Sequence, residues 1–462
     1  MQAAADKAVG LLLVLVTILV ICAEWGTALW ASFLTPAMML VLVIILSVQV
    51  RLSQKIFVAV AALLSIALAV TNPNWREIIL QGSAAAAFIG AFFAALSTLR
   101  TVAATSPAIE RAGAFLAGQR PGKRYGALTV GGQAFALLLN YGSIQLLGAL
   151  AMSNAKSELN AEIRGHRIRR MLLAIQRAFI STLSWSPLSF AIAISTTVIH
   201  DTSWTQVLVP GFVTSSIVVS IGWAMDSIFK PRLSVIPIRS DPPGTWTVML
   251  PLIALLATLI IGVIFLNAVT DVRIVGLVAV LVPAIAIAWL FIQNWSEAPL
   301  ISVARRVSTY VLLELPTYRG ELILLMMAGY IGTVGSQLLA PIMMGAGFDL
   351  SSFPTWLILV SFVWIIPFAG QLGMNPILIV TLIAPLIPSA ASLGVDPTAL
   401  VVALTAGWVM SGASSPFTAT TLLIGSFAGV SARHIGLIWN GTFTIVCCTV
   451  LSLWVLIYAS IS

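Results

Sequence analysis

Long apolar runs alternate with short polar connectors along nearly the whole chain. A helix that crosses a bilayer needs about 20 mostly apolar residues, because the hydrocarbon core is about 30 Å thick. Eleven runs are close to that length or longer, and they predict an all-α polytopic membrane protein with about 11 transmembrane helices. The predicted spans are 9–25, 29–50, 56–72, 78–97, 171–199, 206–229, 247–269, 274–294, 321–345, 399–429 and 436–461.

Two further apolar runs, 126–152 and 356–390, are interrupted near the middle. The first contains Asn-Tyr-Gly-Ser at 140–143, and the second contains Gln-Leu-Gly-Met-Asn-Pro at 371–376. Irregular backbone at membrane depth is tolerated only where protein or a water-filled cavity covers it. We therefore predict two re-entrant hairpins whose tips form a buried polar site. The alternative is an ordinary helix that is kinked at each Gly or Pro.

The composition agrees with a membrane protein. Residues of the AVILMFWYC set make up 60% of the 462 residues, charged residues make up only 8%, and the mean hydropathy is +1.06. A soluble protein needs more polar cover on its exterior, so a soluble enzyme, a disordered chain and a coiled coil are excluded. The net charge of +8 lies in short connectors, which indicates topogenic charge and no nucleic-acid partner.

The positions of the Lys and Arg residues distinguish hairpins from crossings. If both interrupted runs return to the side from which they enter, 20 of the 23 Lys and Arg residues lie on one side. Arg76 and Arg273 then lie on the other side, and Arg177 falls inside a span. If both runs cross instead, the charges divide into 10 and 12. Because basic loops stay in the cytoplasm, we expect a bacterial-type inner membrane protein with a cytoplasmic N-terminus and an extracytoplasmic C-terminus.

The two interrupted runs belong to an internal repeat. Their tips match at an offset of 231, and two Ser-Pro motifs, at 186–189 and 415–418, match at an offset of 229. The span parity brings the hairpins in from opposite sides, so the repeats are inverted, as in secondary transporters with a midplane site. The predicted parts are N-terminal scaffold helices at 1–77, a first repeat at 78–229 (hairpin 126–152, broken helix 171–199), linker and scaffold helices at 230–320, and a second repeat at 321–462 (hairpin 356–390, broken helix 399–429).

Each Ser-Pro motif lies in a long span, where proline leaves carbonyl oxygens of the preceding turn without a backbone donor. Such carbonyls and nearby hydroxyls suit a hard cation such as Na⁺, and the N-terminus of the resumed helix suits an anion. The alternative is that the hydroxyls only repair the kink or hold helices together. The predicted cation site comprises Ser184, Ser186, Pro187, Ser414, Ser415 and Pro416. The predicted solute site comprises Asn140, Gly142, Ser143, Ser189, Gln371, Gly373, Asn375 and Thr418.

This arrangement resembles the ion transporter superfamily, which includes divalent-anion/sodium symporters, citrate carriers and the large membrane subunit of tripartite (TRAP-type) transporters. The resemblance covers about 78–461 and lies in the architecture of hairpins and broken helices. An asparagine stands at each tip, without the Ser-Asn-Thr signature that is typical of the symporter branch. The resemblance implies a homodimer and an elevator-type mechanism, in which a transport domain moves against a scaffold.

Few ionisable residues lie deep in the predicted spans. No Asp, Glu or His does so, and coupling to Na⁺ is therefore preferred over a proton relay. Arg177 lies about two turns into its span, where it either attracts an anion or extends to the cytoplasmic interface. We predict no organic cofactor, no transition-metal site and no catalytic residue.

Together these patterns predict a secondary active transporter, not an enzyme, that moves a small polar or anionic solute, of the organic acid class, across the membrane. The first alternative is the membrane subunit of a tripartite importer, which needs a small membrane partner and a solute-binding protein. Less favoured are a passive channel and an intramembrane transferase, for which His200-Asp201 is the only suggestive pair.

Overall fold

A computed structural model describes residues 2–26, 29–103, 105–156, 158–231, 244–270, 272–295, 299–346 and 350–462. Arg232 and Arg239, two of the predicted cytoplasmic charges, lie outside these residues. The described chain forms helices and connectors and contains no strand. Its α-helices are α1 (Gln2–Glu24), α2 (Leu29–Gln49), α3 (Leu52–Thr71), α4 (Trp75–Ala103), α5 (Pro107–Ala117), α6 (Pro121–Leu139), α7 (Tyr141–Lys156), α8 (Ala161–Ser181), α9 (Phe190–Val198), α10 (Trp204–Ile228), α11 (Leu250–Val269), α12 (Ile274–Gln293), α13 (Pro299–Thr309), α14 (Arg319–Gly345), α15 (Thr355–Gln371), α16 (Pro376–Ile383), α17 (Ala390–Leu393), α18 (Pro397–Ser414), α19 (Ala419–Ala428) and α20 (Gly441–Ile461).

Ten stretches of described helix are long and apolar enough to cross a membrane. They match ten of the eleven predicted spans, so the prediction of an all-α polytopic membrane protein is confirmed. The exception is 171–199, because its first part belongs to α8, which carries five arginines, and α9 is only 9 residues long. The stretch 299–343 is longer than predicted, since α13 and α14 are joined by a π-helical turn at Tyr310–Glu314 followed by a short 3₁₀ turn.

Contacts between helices divide the chain into two compact units. The helix α15 belongs to the second unit and most of α16 to the first, so the two arms of the run 356–390 fall in different units. The units do not follow the predicted repeats, whose boundaries stay a prediction. The first unit comprises residues up to 102, 261–352 and 377–388, and the second comprises 103–260, 353–376 and 389–462.

In the first unit, α1 packs on α2 and α12, and α3 packs on α14. Leu68, Ile78 and Val334 form a buried apolar cluster where α3, α4 and α14 meet. The hydroxyls of Ser65 and Tyr330 form a hydrogen bond of 2.7 Å that joins α3 to α14. Because lipid tails are as apolar as these side chains, close packing and such hydrogen bonds hold the helices together.

The helix α18 is the central element of the second unit. It packs on α8, α9, α10, α15 and α20, and every residue from Thr398 to Ser414 is buried. Ala, Gly, Ser and Thr are frequent in this segment, and small residues allow neighbouring helices to approach closely. The helices α6 and α7 pack on α8 in the same unit.

At both Ser-Pro breaks a glycine lies against the backbone directly before the break. A Cβ built on Gly211 of α10 would lie 2.1 Å from the carbonyl oxygen of Ser184. A Cβ built on Gly436, in the π-helical turn before α20, would lie 2.0 Å from the carbonyl oxygen of Ser414. Each break therefore has a close contact with a glycine, within α10 in one case and just before α20 in the other, and the internal repeat stays a prediction.

We expect Gly211→Ala and Gly436→Ala each to lower the stability of the protein, because a backbone oxygen cannot yield as a flexible side chain can. Overpacking of this kind costs about 1–3 kcal/mol. Gly441→Ala is the matched control, because a Cβ there meets nothing within 4 Å. Thermal unfolding in detergent measures the effect, and equal midpoints for Gly436→Ala and Gly441→Ala would contradict the close contact.

Candidate functional site

The run 126–152 folds back on itself at a single residue. Asn140 alone separates α6 from α7, and it has φ +49° and ψ −131°. A Cβ on Gly132 of α6 would lie 3.7 Å from Cδ1 of Leu147, so α7 returns along α6. The carbonyl oxygen of Asn140 accepts hydrogen bonds from the backbone N–H (2.9 Å) and the hydroxyl (2.7 Å) of Ser143. This run is therefore a helical hairpin with a tight tip, as predicted.

The first tip lies beside the end of α8. The ring of Tyr141 stacks on Phe179, with ring centroids 4.9 Å apart. Gly142 and Ser143 are buried, and Asn140 is half-buried. Phe179 lies only a few residues before the first Ser-Pro break, so the structure places the tip next to that break.

The second tip contacts the second break directly. Gly373 has φ +90°, which glycine adopts without strain, between the end of α15 and the start of α16. Nε2 of Gln371 donates a hydrogen bond to Oγ of Ser414 (3.3 Å). The hydroxyl of Ser415 donates to the carbonyl oxygen of Gly370 (2.6 Å). Three of the predicted site residues, Gln371, Ser414 and Ser415, are thus joined by the contacts of one tip with one break.

The first break separates α8 from α9. The hydroxyl of Ser184 donates to the carbonyl oxygen of Gly211 on α10 (2.9 Å). Oγ of Ser186 accepts the backbone N–H of Leu188 (3.1 Å). Ser189 is the N-cap of α9. Its Oγ accepts a hydrogen bond from the backbone N–H of Ile192, and its hydroxyl donates one to the carbonyl oxygen of Leu183 (3.0 Å). These hydroxyls satisfy backbone groups that the interrupted helix leaves without partners.

The second break, between α18 and α19, is built in a similar way. The hydroxyl of Ser414 donates to the carbonyl oxygen of Met410 (2.8 Å). Oγ of Ser415 accepts the backbone N–H of Phe417 (3.3 Å), which corresponds to the contact between Ser186 and the second residue after it. Thr418 precedes α19, and its hydroxyl donates to the carbonyl oxygen of Ser415 (2.9 Å).

The hydrogen-bond pattern limits what the predicted cation site can do. The hydroxyl hydrogens of Ser184, Ser414 and Ser415 are directed to backbone carbonyls, so these oxygens offer lone pairs and no free donor. That arrangement is compatible with a cation, and it equally performs the kink repair that we gave as the alternative. Pro187 is buried and Pro416 is half-buried, and both lie inside the turns that the hydroxyls stabilise.

Asn140 and Asn375 lie at different tips, and both are half-buried. The hydrogen bonds that join the two broken helices pass through other residues, two of which the sequence analysis missed. Nε2 of Gln176 on α8 lies 3.3 Å from the carbonyl oxygens of both Gly412 and Ala413 in the last turn of α18. Nδ2 of Asn440 donates to Oε1 of Gln176 (2.9 Å).

Gln176 and Asn440 are fully buried, and they tie α8, the end of α18 and the start of α20 together. The signal in the sequence is a single amide in each of two long apolar runs, since a polar group at that depth needs a partner. The sequence does not reveal which partner each amide takes.

Arg177 is buried among neutral groups. Its guanidinium donates to the hydroxyl of Tyr125 (2.8 Å) and lies 3.4 Å from Oδ1 of Asn440. Its Cζ lies 4.1 Å from the centroid of the Phe443 ring. Within the described residues no carboxylate pairs with it, and Nε has no hydrogen-bond partner. The side chain is 4% exposed, so protein surrounds it, and the two roles given for it in the sequence analysis stay predictions.

A group of arginines lies at the start of α6 and along α8. Arg167 pairs with Glu158 (3.0 Å), and Arg170 pairs with Asp226 (2.7 Å). The hydrogen bond to the Asp226 carboxylate raises the pKa of Arg170. Burial, with the positive charges of Arg167 and Arg170, lowers the pKa of Arg124 to about 10. The guanidinium of Arg124 still carries its charge at neutral pH, so this end of the hairpin remains electropositive.

No family model and no curated protein sequence matches the chain. Its fold does match solved structures. The YdaH transporter of Alcanivorax borkumensis matches with a TM-score of 0.51 and 16% identity, over 87% of this chain and 98% of that chain. MtrF of Neisseria gonorrhoeae, described with a class of antimetabolite efflux pumps, gives a TM-score of 0.41 and 13% identity over 88% and 95%, which is too distant to carry an argument.

At such identities the likeness shows the fold alone. The chain has a fold similar to that of the YdaH transporter, and nearly the whole of that chain takes part in the match. The ion transporter superfamily and the tripartite subunit, both expected from the sequence, stay predictions.

We expect Asn440→Leu to destabilise the protein, because it leaves Oε1 of Gln176 buried without a donor and removes a contact of Arg177. A buried unsatisfied polar group costs about 1–3 kcal/mol. The control is Asn74→Leu, since Asn74 is exposed. A lower thermal midpoint for Asn440→Leu alone agrees with the network, whereas equal midpoints for the two variants would refute it.

Proposed function

We propose that the protein is a secondary active transporter that moves a small polar or anionic solute across a bacterial-type inner membrane. The observation that carries the proposal is the pair of helix breaks with matching hydrogen bonds, one of which is joined directly to a hairpin tip. The likeness to the fold of the YdaH transporter supports it. Interrupted helices and hairpins at membrane depth are typical of transporter binding sites.

The solute would bind between the tips and the breaks, in contact with Asn140, Asn375 and the N-termini of α9 and α19. A helix N-terminus presents unpaired N–H groups and the positive end of the helix dipole, so it favours an anion. Organic acids are the class that we propose, because their carboxylates match these donors.

Sodium is the coupling ion that we propose. Three carboxylates of the second unit are engaged elsewhere, since Glu158 and Asp226 pair with arginines and Asp396 caps α18. Backbone carbonyls and hydroxyl oxygens at unwound helix segments can coordinate Na⁺ without a side-chain charge. The oxygens of Ser186 and Ser415 occupy equivalent positions in the two breaks and are the first candidates.

An elevator mechanism follows from the same arrangement. The second unit holds every predicted site residue, so it is the part that we propose to carry the solute across the bilayer against a scaffold. We also propose that the protein is a homodimer and a member of the ion transporter superfamily, because its architecture resembles that superfamily.

A thermal-shift screen of the purified protein in detergent tests substrate and coupling together. The panel contains small carboxylates, sulfonates, inorganic oxyanions and neutral solutes, each in Na⁺ and in choline. A ligand at 100 times its Kd stabilises the folded state by about 2.7 kcal/mol. We expect a carboxylate to raise the midpoint in Na⁺ and to have much less effect in choline. A shift that is equal in both salts would contradict Na⁺ coupling, and no shift would favour the tripartite subunit.

Removing both tip side chains should abolish that ligand-induced shift and the matching uptake into proteoliposomes. We choose Asn140→Gly, because glycine adopts φ +49° freely, together with Asn375→Ala. The unliganded midpoint should stay close to that of the wild type, since neither change opens a packed core.

Asn74→Ala serves as the control, because it removes an exposed amide far from either tip in the sequence. Uptake by the double variant at the rate of this control would overturn the assignment of the site to the tips.

A further inference from the structure

The first unit contains a cavity of about 370 Å³ that has no role in the transport site proposed above. Its walls come from α1, α4 and α12 and from the π-helical turn between α13 and α14. This volume falls in the range of small-molecule sites, which begins at about 300 Å³.

Two interruptions of regular helix border the cavity. Pro283 lies inside α12 and lines the space, and an internal proline bends a helix. Tyr310 and Val311 of the π-helical turn at Tyr310–Glu314 also line the cavity, and a Cβ on Gly10 would lie 1.8 Å from the carbonyl oxygen of Val311. Such turns are frequent at functional sites. Alanines complete the lining where larger side chains would fill the space: Ala94, Ala95, Ala279 and Ala286.

The wall of the cavity is apolar even where hydroxyls line it. Thr17 and Thr98 donate to carbonyl oxygens of their own helices (2.7 Å each), and Tyr310 donates to the carbonyl oxygen of Ala94 (2.7 Å). Water needs two to four polar partners to stay in a cavity, so a hydrocarbon occupant is favoured over water along this wall.

One end of the cavity is polar. Arg306 lines it, forms an ion pair with Glu314 and donates to the carbonyl oxygen of Thr101 (3.1 Å). The Nε of Arg306 is buried and has no acceptor among the described residues. Because Glu314 already balances the charge of Arg306, this end of the cavity suits an uncharged ester better than a free carboxylate.

The length of the cavity fits one leaflet of a bilayer. Its lining follows α12 from Ala279 to Leu290, which is about 16 Å at 1.5 Å per residue. Half of a hydrocarbon core of about 30 Å is about 15 Å. A single acyl chain that starts at the level of its ester group therefore matches the cavity in length.

We propose that this cavity binds one acyl chain of a bilayer phospholipid, with the uncharged ester end of that chain beside the ion pair of Arg306 and Glu314. The chain occupies the space between α1, α4 and α12. The headgroup remains outside, so the site selects for chain and ester and only weakly for the headgroup.

Native mass spectrometry of delipidated full-length protein tests the proposal. The probe is dioleoylphosphatidylethanolamine, compared for the wild type, Ala286→Leu and Ala288→Leu. Ala288 lies on the same helix but is exposed and does not line the cavity. We expect one phospholipid per chain in the wild type and in Ala288→Leu, with at least fivefold lower occupancy in Ala286→Leu. Equal occupancy in all three proteins would overturn the site.

Two further probes and one variant test the ester contact. The ether-linked analogue of the same phospholipid keeps the chains and lacks the ester carbonyl, so we expect it to bind the wild type several-fold more weakly. In Arg306→Met, which removes the guanidinium, ester and ether lipids should bind equally. The second probe is oleate. If oleate and the phospholipid bound the wild type equally well, the ester assignment would be overturned and a free fatty acid would be the source of the chain.

Discussion

A helix that stops inside a bilayer leaves backbone carbonyls and N–H groups that lipid cannot satisfy, and the second unit is organised around this constraint. At each break a serine side chain returns to the backbone, Ser186 in one repeat and Ser415 in the other. Side chains reach only part of the freed backbone. The remaining carbonyls of Ser184 and Ser414 are covered by close approach of Gly211 and Gly436, where any side chain would prevent contact. Each broken helix therefore depends on the close contact of its glycine, Gly211 at the first break and Gly436 at the second.

Features coded by neighbouring residues could be predicted from the sequence. Length and hydropathy identified ten of the spans, and the polar interruption at Asn140 together with the distribution of Lys and Arg identified the first hairpin. The proline motifs placed the breaks between α8 and α9 and between α18 and α19 correctly. Apart from the charge distribution, each of these signals lies within a window of about 20 residues, which is why periodicity and turn chemistry were sufficient for them.

Features that depend on tertiary partners could not be predicted. Gln176 and Asn440 are 264 positions apart in the chain, and a lone amide in an apolar run does not name its partner. The run 356–390 looks like one hairpin in the sequence, but its second arm groups with the first unit, where Thr381 lies against Gly332. The burial of Arg177 was undecided for the same reason, since position in a span does not show whether protein or lipid surrounds a side chain.

The complete burial of α18 has a consequence for how the protein is made. A helix that is buried on every side depends on its protein neighbours, because its Ser, Thr and Gly residues gain little from hydrocarbon. The ribosome delivers α8, α10 and α15 before α18, but α20 only afterwards. Until α20 arrives, one side of α18 lacks its final neighbour. Assembly of the second unit thus depends on α20, which is made after α18, and a truncation before α20 would leave a membrane intermediate that quality-control proteases can recognise.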